Sequence, residues 1–232
     1  MNERPSVVRL LTWNIHSGIG PDSTYDLARV VGLIRRHDPD IVALQEVDSR
    51  GRGDDDLPLP FLKQALGEHA AEARTVTAPD GHYGHVVISR WPMKETRLHD
   101  LSVLKREPRC AIETMVVTPY GPLHLVSTHL GLGIFERRRQ AALLAGLASR
   151  SVEPTVMLGD FNDWFRRGAV RRALAQVMPA RTMLKTFPAR WPFLMLDRIY
   201  CRPRAALIRS WTDRAARSVS DHLPVFAEIS LS

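Results

Sequence analysis

Apolar residues along this 232-residue chain gather in short runs, separated by polar stretches bearing glycine and proline. The runs at 7–13, 41–44, 85–89, 112–117, 123–128, 156–158, 196–201, 206–211 and 224–231 read as strands. Helical spacing appears elsewhere. Leu27, Val30, Val31 and Ile34 form an apolar stripe, with Ser23 or Thr24 as the expected N-cap and His37-Asp38-Pro39 as the stop. A longer helix is predicted over 136–148, with Leu143, Leu144 and Leu147 on its inner side, and short helices near 61–66 and 169–177. Between 48 and 60 the chain is polar and turn-rich, which predicts a surface loop at the rim of a site. No repeat, low-complexity tract or linker breaks this pattern, so one domain over 1–232 is expected.

The polar residues of interest stand where the runs end. The first strand closes on Asn14, and the second delivers Gln45 and Glu46. The run at 123–128 leads into His129. Val156 to Leu158 leads into Gly159, read as a tight turn that sets Asp160 and Asn162 on one side of a loop. Asp197 lies inside an apolar run, where burial is costly unless the carboxylate is paired, and His222 of Ser220-Asp221-His222 is the candidate partner. Each residue has a bland alternative. Asn14 suits a turn, Glu46 a surface carboxylate, His129 a histidine under a loop, and Asp197 a salt bridge with Arg198 that leaves His222 at the surface. Together they amount to two amides, three or four carboxylates and two histidines, each beside or within its own apolar run. That set describes a hard-oxygen metal site that binds a phosphate and activates water. The chain offers no Ser or Cys in a triad setting and no glycine-rich phosphate loop, so direct attack by water is the expected mechanism.

With 44% hydrophobic and 25% charged residues, the chain is long enough for a sizeable core and suits one large α/β or sandwich domain. No apolar run approaches the roughly 18–20 residues of a membrane-spanning helix. The first residues lack a basic start, an apolar stretch of signal length and a cleavage site, so a cytoplasmic location is expected. Cys110 and Cys201 are far apart without metal spacing, which predicts reduced buried thiols. The net charge of +7, carried mostly by arginine, favours phosphate-bearing partners without naming one. Asp54-Asp55-Asp56 reads as a solvated loop face rather than a cation site.

The order Trp13-Asn14-Ile15, Leu44-Gln45-Glu46, Ser127-Thr128-His129, Gly159-Asp160-Phe161-Asn162, Leu196-Asp197-Arg198-Ile199 and Ser220-Asp221-His222-Leu223-Pro224 resembles the endonuclease/exonuclease/phosphatase superfamily over almost the whole chain. The resemblance implies a DNase I-like α/β fold, a four-layer sandwich of two packed mixed β-sheets flanked by helices, and dependence on Mg²⁺ or Mn²⁺. It also implies roles. Asn14 and Glu46 would sit at the metal with Asp221 supplementing them. Asp160 and Asn162 would orient water and phosphate, His129 would bind a non-bridging oxygen or assist the leaving group, and His222 would act with Asp197. Whether Asp160 or His222 takes the proton stays open. Two departures stand out: His16 occupies a position where abasic-site nucleases carry an acid, and His85 one where the family often has Asn.

A phosphate-ester substrate is expected, with nucleic acid first, on the charge and on Arg166, Arg167, Arg171 and Arg172 just beyond the Asp160 loop. Those arginines fit a solvated helix face equally well. Trp164 and Trp191 suit base stacking or filling an abasic gap, though a core role is commoner for Trp. The alternatives are a phospholipid or small-molecule phosphodiesterase or phosphatase, and a non-catalytic nucleic-acid-binding relative. No apolar hairpin for stable membrane insertion is apparent, and no protein partner is implied.

Overall fold

The computed structural model describes residues 6–52, 57–165 and 168–231. Its strands are β1 (Val7–Asn14), β2 (Ile41–Asp48), β3 (His69–Ala78), β4 (Gly81–Ser89), β5 (Met93–Asp100), β6 (Cys110–Thr118), β7 (Gly121–His129), β8 (Thr155–Asp160), β9 (Ala180–Arg181), β10 (Asp197–Arg202), β11 (Leu207–Trp211) and β12 (Val225–Ser230). The helices are α1 (Leu27–His37), α2 (Pro58–Leu66), α3 (Ile134–Arg150) and α4 (Ala169–Leu174). Among the described residues the strands form two six-stranded mixed sheets, ordered β11-β12-β1-β2-β4-β3 and β5-β6-β7-β8-β10-β9.

The unbroken apolar runs follow from this layering. Side chains alternate across a strand, and both faces of the central strands are covered. Val8, Leu10, Ile41 and Ala43 pack between the sheets with Val156, Leu158 and Ile199. Leu11, Trp13, Val42 and Leu44 turn the other way, onto Leu27, Val30 and Ile34 of α1 and Leu62 of α2. On the far side Val126 and Met157 meet Ala141 and Leu144 of α3 and Val170 and Leu174 of α4. The result is helix, sheet, sheet, helix, the expected four layers.

Topology places the polar strand ends together. β1 and β2 are parallel across a crossover through α1, and β7 and β8 are parallel across a crossover through α3. β10 runs antiparallel to β8 and β12 antiparallel to β1. The carboxyl ends of the four parallel strands therefore meet the amino ends of β10 and β12 along one edge of the sandwich.

Several local expectations need correction. The polar edge strand β5 and the weakly patterned β3 carry no apolar run and are not legible as strands. The α1 cap is Asp26, which accepts from Arg29 N, rather than Ser23 or Thr24. The loop after Asp48 yields to α2 at Pro58. α4 stops at Leu174, and Ala206 belongs to a 3₁₀ turn before β11. Leu143 is 47% exposed, on the outer face of α3. Asp54-Asp55-Asp56 lies outside the described residues. Cys110 is half-buried and Cys201 buried, both unpaired, and burial pushes their thiols up to about 11 and about 12.

Gly159 is not a turn but the penultimate residue of β8, at φ 151°. A Cβ there would lie 1.9 Å from the carbonyl oxygen of Thr128 on β7. Gly159→Ala must therefore push β8 off β7 next to Asp160. A loss on the order of 3–5 kcal/mol is expected, read as a fall in the urea midpoint of unfolding with unchanged slope.

Candidate active site

Backbone register brings the predicted residues into one cluster. His129 pairs across the sheet with Asp160, and Asp160 with Asp197. In the other sheet Asn14 ends β1, and a register shift between Gln45 and Val47 makes a bulge on β2 at Glu46. The bulge breaks the two-residue alternation. Gln45 is left buried against Thr12, while Glu46 swings to the sheet edge. His16, Glu46 and Asn162 all adopt the left-handed region, at φ 49°, 58° and 49°. Such strain in non-glycine residues persists where surrounding contacts over-determine the backbone.

The amide of Asn14 ties the two sheets together, its Nδ2 donating to Glu46 Oε1 at 2.8 Å and to Asp160 Oδ2 at 3.1 Å. Asn162 N donates to Asp160 Oδ1 at 2.9 Å, while the Asn162 side chain donates to Leu130 O. His222 Nδ1 lies 2.8 Å from Asp197 Oδ2, and its Nε2 faces Asp160 Oδ2 at 3.9 Å. The segment carrying His222 is fixed to β1: Trp13 Nε1 donates to His222 O, and Ser220 Oγ donates to Asn14 O while accepting from His222 N. Asp221 is more open, with Oδ1 3.6 Å from His16 Nδ1, whose ring also reaches Glu46 Oε2 at 3.8 Å. His16 thus contacts two of the residues placed by resemblance at a metal.

Burial and the neighbouring Asp197 charge raise the pKa of Asp160. Burial opposes a charge on His222, but Asp197 and Asp160 outweigh it and push the imidazole up to about 10. His129 behaves in the opposite way: burial and the adjacent Arg109 charge hold it well below its usual value. Arg109 Nη1 sits 3.3 Å from His129 Nδ1. A guanidinium can only donate, so Nδ1 accepts and the proton resides on Nε2. That Nε2 points to Asp160 Oδ2 at 3.7 Å and Glu46 Oε1 at 4.0 Å. One histidine is therefore a neutral donor and the other a cation.

Asn14, Glu46, His129, Asp160, Asn162 and His222 line a pocket of about 320 Å³ with Tyr83, Glu107, Arg109, Leu132, Trp164, Phe187, Leu194 and Leu196. Asp197 and His16 do not line it, and Asp221 faces a separate cavity. The sequence alone does not mark Tyr83, Glu107 or Arg109. Tyr83 stands two residues before His85, Glu107 and Arg109 lie in the loop that precedes β6, and none stands at the end of an apolar run. Arg109 is buried and pairs with Glu107 at 2.9 Å. His85 is buried, its Nε2 has no partner, burial lowers its pKa to about 4, and it does not line the pocket. Arg198 donates to Asp163 O rather than pairing with Asp197.

Trp164 stands at the rim with the Arg137 guanidinium 4.3 Å from its ring centre. Arg166 and Arg167 lie outside the described residues. Arg171 donates its backbone N to Asp163 Oδ2, and Arg172 is exposed on α4. Trp191, 72% exposed, borders a separate cavity of about 640 Å³ with Arg190, Arg214, Arg217 and Asp221.

The arrangement can hold a hard cation, fix a phosphoryl group by a neutral imidazole N–H, and place a carboxylate beside a charged imidazole. A profile of the Endonuclease/Exonuclease/phosphatase family matches residues 11–222. YbhP of Escherichia coli K12 is 32% identical over 252 aligned positions, covering 96% of each chain. An endonuclease/exonuclease/phosphatase structure from Beutenbergia cavernae superposes with a TM-score of 0.81 at 20% identity, covering 99% of this chain and 72% of that one. The 3′ phosphatase NExo from Neisseria, bound to a product DNA hairpin, superposes with a TM-score of 0.71 at 19% identity, covering 96% and 99%.

Proposed function

The chain belongs to the Endonuclease/Exonuclease/phosphatase family, and from that premise we propose that it is a divalent-metal-dependent phosphodiesterase cleaving its ester by direct attack of water. The observation that carries the reading is the separation of charge in the pocket. A buried carboxylate with a raised pKa, Asp160, faces both a neutral histidine donor and a histidine held charged.

The residues present fit a magnesium-type ion. Glu46 and Asp160 converge on one amide, Asp221 lies on the open side, and Asp197 Oδ1 is buried without a partner. A buried trio of Asp160, Asp197 and His222 is close enough to ligate an ion. His222 Nδ1 is already engaged by Asp197, however, so the oxygen set around Asn14, Glu46 and Asp221 is the better seat. When bound, the ion would polarise the phosphoryl oxygen and stabilise the leaving oxygen. His129 Nε2–H then donates to a non-bridging oxygen, and Asn162 holds Asp160 in position through its backbone N–H. Asp160 takes the proton of the attacking water, because His222 already carries one. His222, held by Asp197, offsets charge building on phosphorus.

For substrate, a nucleic acid is supported by the +7 charge and by the DNA product held by the Neisseria neighbour. A phospholipid is supported by the apolar residues at the pocket rim, taken up below. The direct test is a panel of plasmid, single-stranded and abasic DNA, RNA, sphingomyelin, glycerophospholipids and inositol phosphates, with Mg²⁺, Mn²⁺ or EDTA. Cleavage of one class, abolished by EDTA and reduced at least about 10³-fold in Glu46→Ala, is expected. Equal turnover in EDTA would exclude the metal-dependent mechanism.

A further inference from the structure

The rim of the catalytic pocket is apolar along one side. Leu132 and Trp164 line the pocket, Phe165 packs on Trp164 with ring centres 5.9 Å apart, and Arg137 locks the group by donating to Leu132 O. The chain then enters α3. Its exposed positions are Ile134, Phe135, Arg138, Arg139, Ala142, Leu143, Gly146, Ser149 and Arg150. Phe135 is 86% exposed. This face holds three arginines, two large aliphatic residues, one aromatic ring and no acid, over a 17-residue helix. Exposed apolar side chains interleaved with cations can enter a headgroup layer while the cations stay among the headgroups.

We propose that the exposed face of α3, continuous with the pocket rim at Leu132, docks on an anionic phospholipid surface, and that the hydrolysed ester belongs to a lipid presented there. The second clause rests on the hydrolase reading; the first does not. Two observations select lipid over other occupants, and a third fits it. Ile134 and Leu143 have no π-face to stack on a base and no donor for a phosphate, whereas nucleic-acid interfaces are polar and densely cationic. The best-placed cation at the rim, Arg137, is buried and spent on two backbone carbonyls and the Trp164 ring, so it is not available to track a strand. The exposed Arg138 and Arg139 match anionic headgroups in sign, as they would any polyanion. No helix of the described residues is long and apolar enough to cross a membrane, so the attachment would be peripheral.

The test is sedimentation of the full chain with phosphatidylcholine vesicles and with phosphatidylcholine–phosphatidylglycerol vesicles, at low and high salt. Binding to the second only, weakened by salt, is expected. Phe135→Ser should weaken it at least about tenfold, as removal of one inserted ring requires. Arg138→Gln and Arg139→Gln should each weaken it about fivefold. All three variants should hydrolyse a soluble ester, bis-p-nitrophenyl phosphate, at the wild-type rate. Wild-type protein that turns over this ester yet stays in the supernatant with both vesicles would overturn the docking and spare the hydrolase. Vesicle binding without turnover of any ester would keep the docking and sink the hydrolase. Binding of single-stranded DNA that is lost in Phe135→Ser, with no vesicle binding by the wild type, would assign the surface to nucleic acid and overturn the proposal.

Discussion

Asp160→Asn should lower kcat by about 10²–10⁴-fold, the range expected for loss of a positioned general base, while leaving the fold close to wild-type stability. The split follows from the geometry. Asp160 is buried, and its ionised form is disfavoured by burial and by Asp197. An amide removes that like-charge cost. In exchange, one of the two donors now served, Asn14 Nδ2 or Asn162 N, meets an NH₂ group instead of an oxygen. The two effects offset within about 1 kcal/mol. Calorimetry beside a single-turnover assay separates them. A large fall in Tm would make Asp160 structural, and near-normal kcat would remove it as the base.

Asp197 and His222 should act as a unit. Asp197→Ala strands an imidazole that is 5% exposed, and breaking a buried pair by deleting one partner costs about 3–5 kcal/mol. Asp197→Asn is milder for the fold but releases the ring orientation, and other Asp–His pairs lose about 10⁴ in kcat on that change. The double variant Asp197→Asn/His222→Ala should be no slower than His222→Ala alone, since residues acting together are not additive. Additive losses would mean that Asp197 has a role apart from the ring.

The same pair sets a pH signature in metal-free protein. The folded pKa of His222, about 10, lies above its unfolded value near 6.5. Its contribution is complete below about pH 6.5 and is lost as pH rises toward about 10. In EDTA, Tm should fall across that window, and His222→Gln should flatten the curve. A wild-type Tm that is level from pH 6.5 to 10 would mean His222 is not held charged.

Much of this was decided by local sequence. Val8, Leu10, Leu11 and Trp13 leave no polar face on β1, because a strand covered on both sides has none, and that pattern marks the sandwich core. Asn14, His129 and Asp160 could be picked out because a polar residue ending an apolar strand emerges at a sheet edge. The resemblance supplied an order for these ends. Tertiary structure decided the rest. The bulge at Glu46 is a property of β2 against β4, and no residue of β2 alone announces it. Arg109, in the loop just before β6, fixes the His129 tautomer across a contact of 3.3 Å. β5 and β3 are edge strands whose polar sequences pair only because neighbouring backbones offer hydrogen bonds. Leu143 sits at helical spacing beside Leu144 and Leu147, yet packing turns only the latter two inward. Periodicity fixes the angle between side chains on a helix, whereas which angle faces the core depends on the sheet the helix lands on.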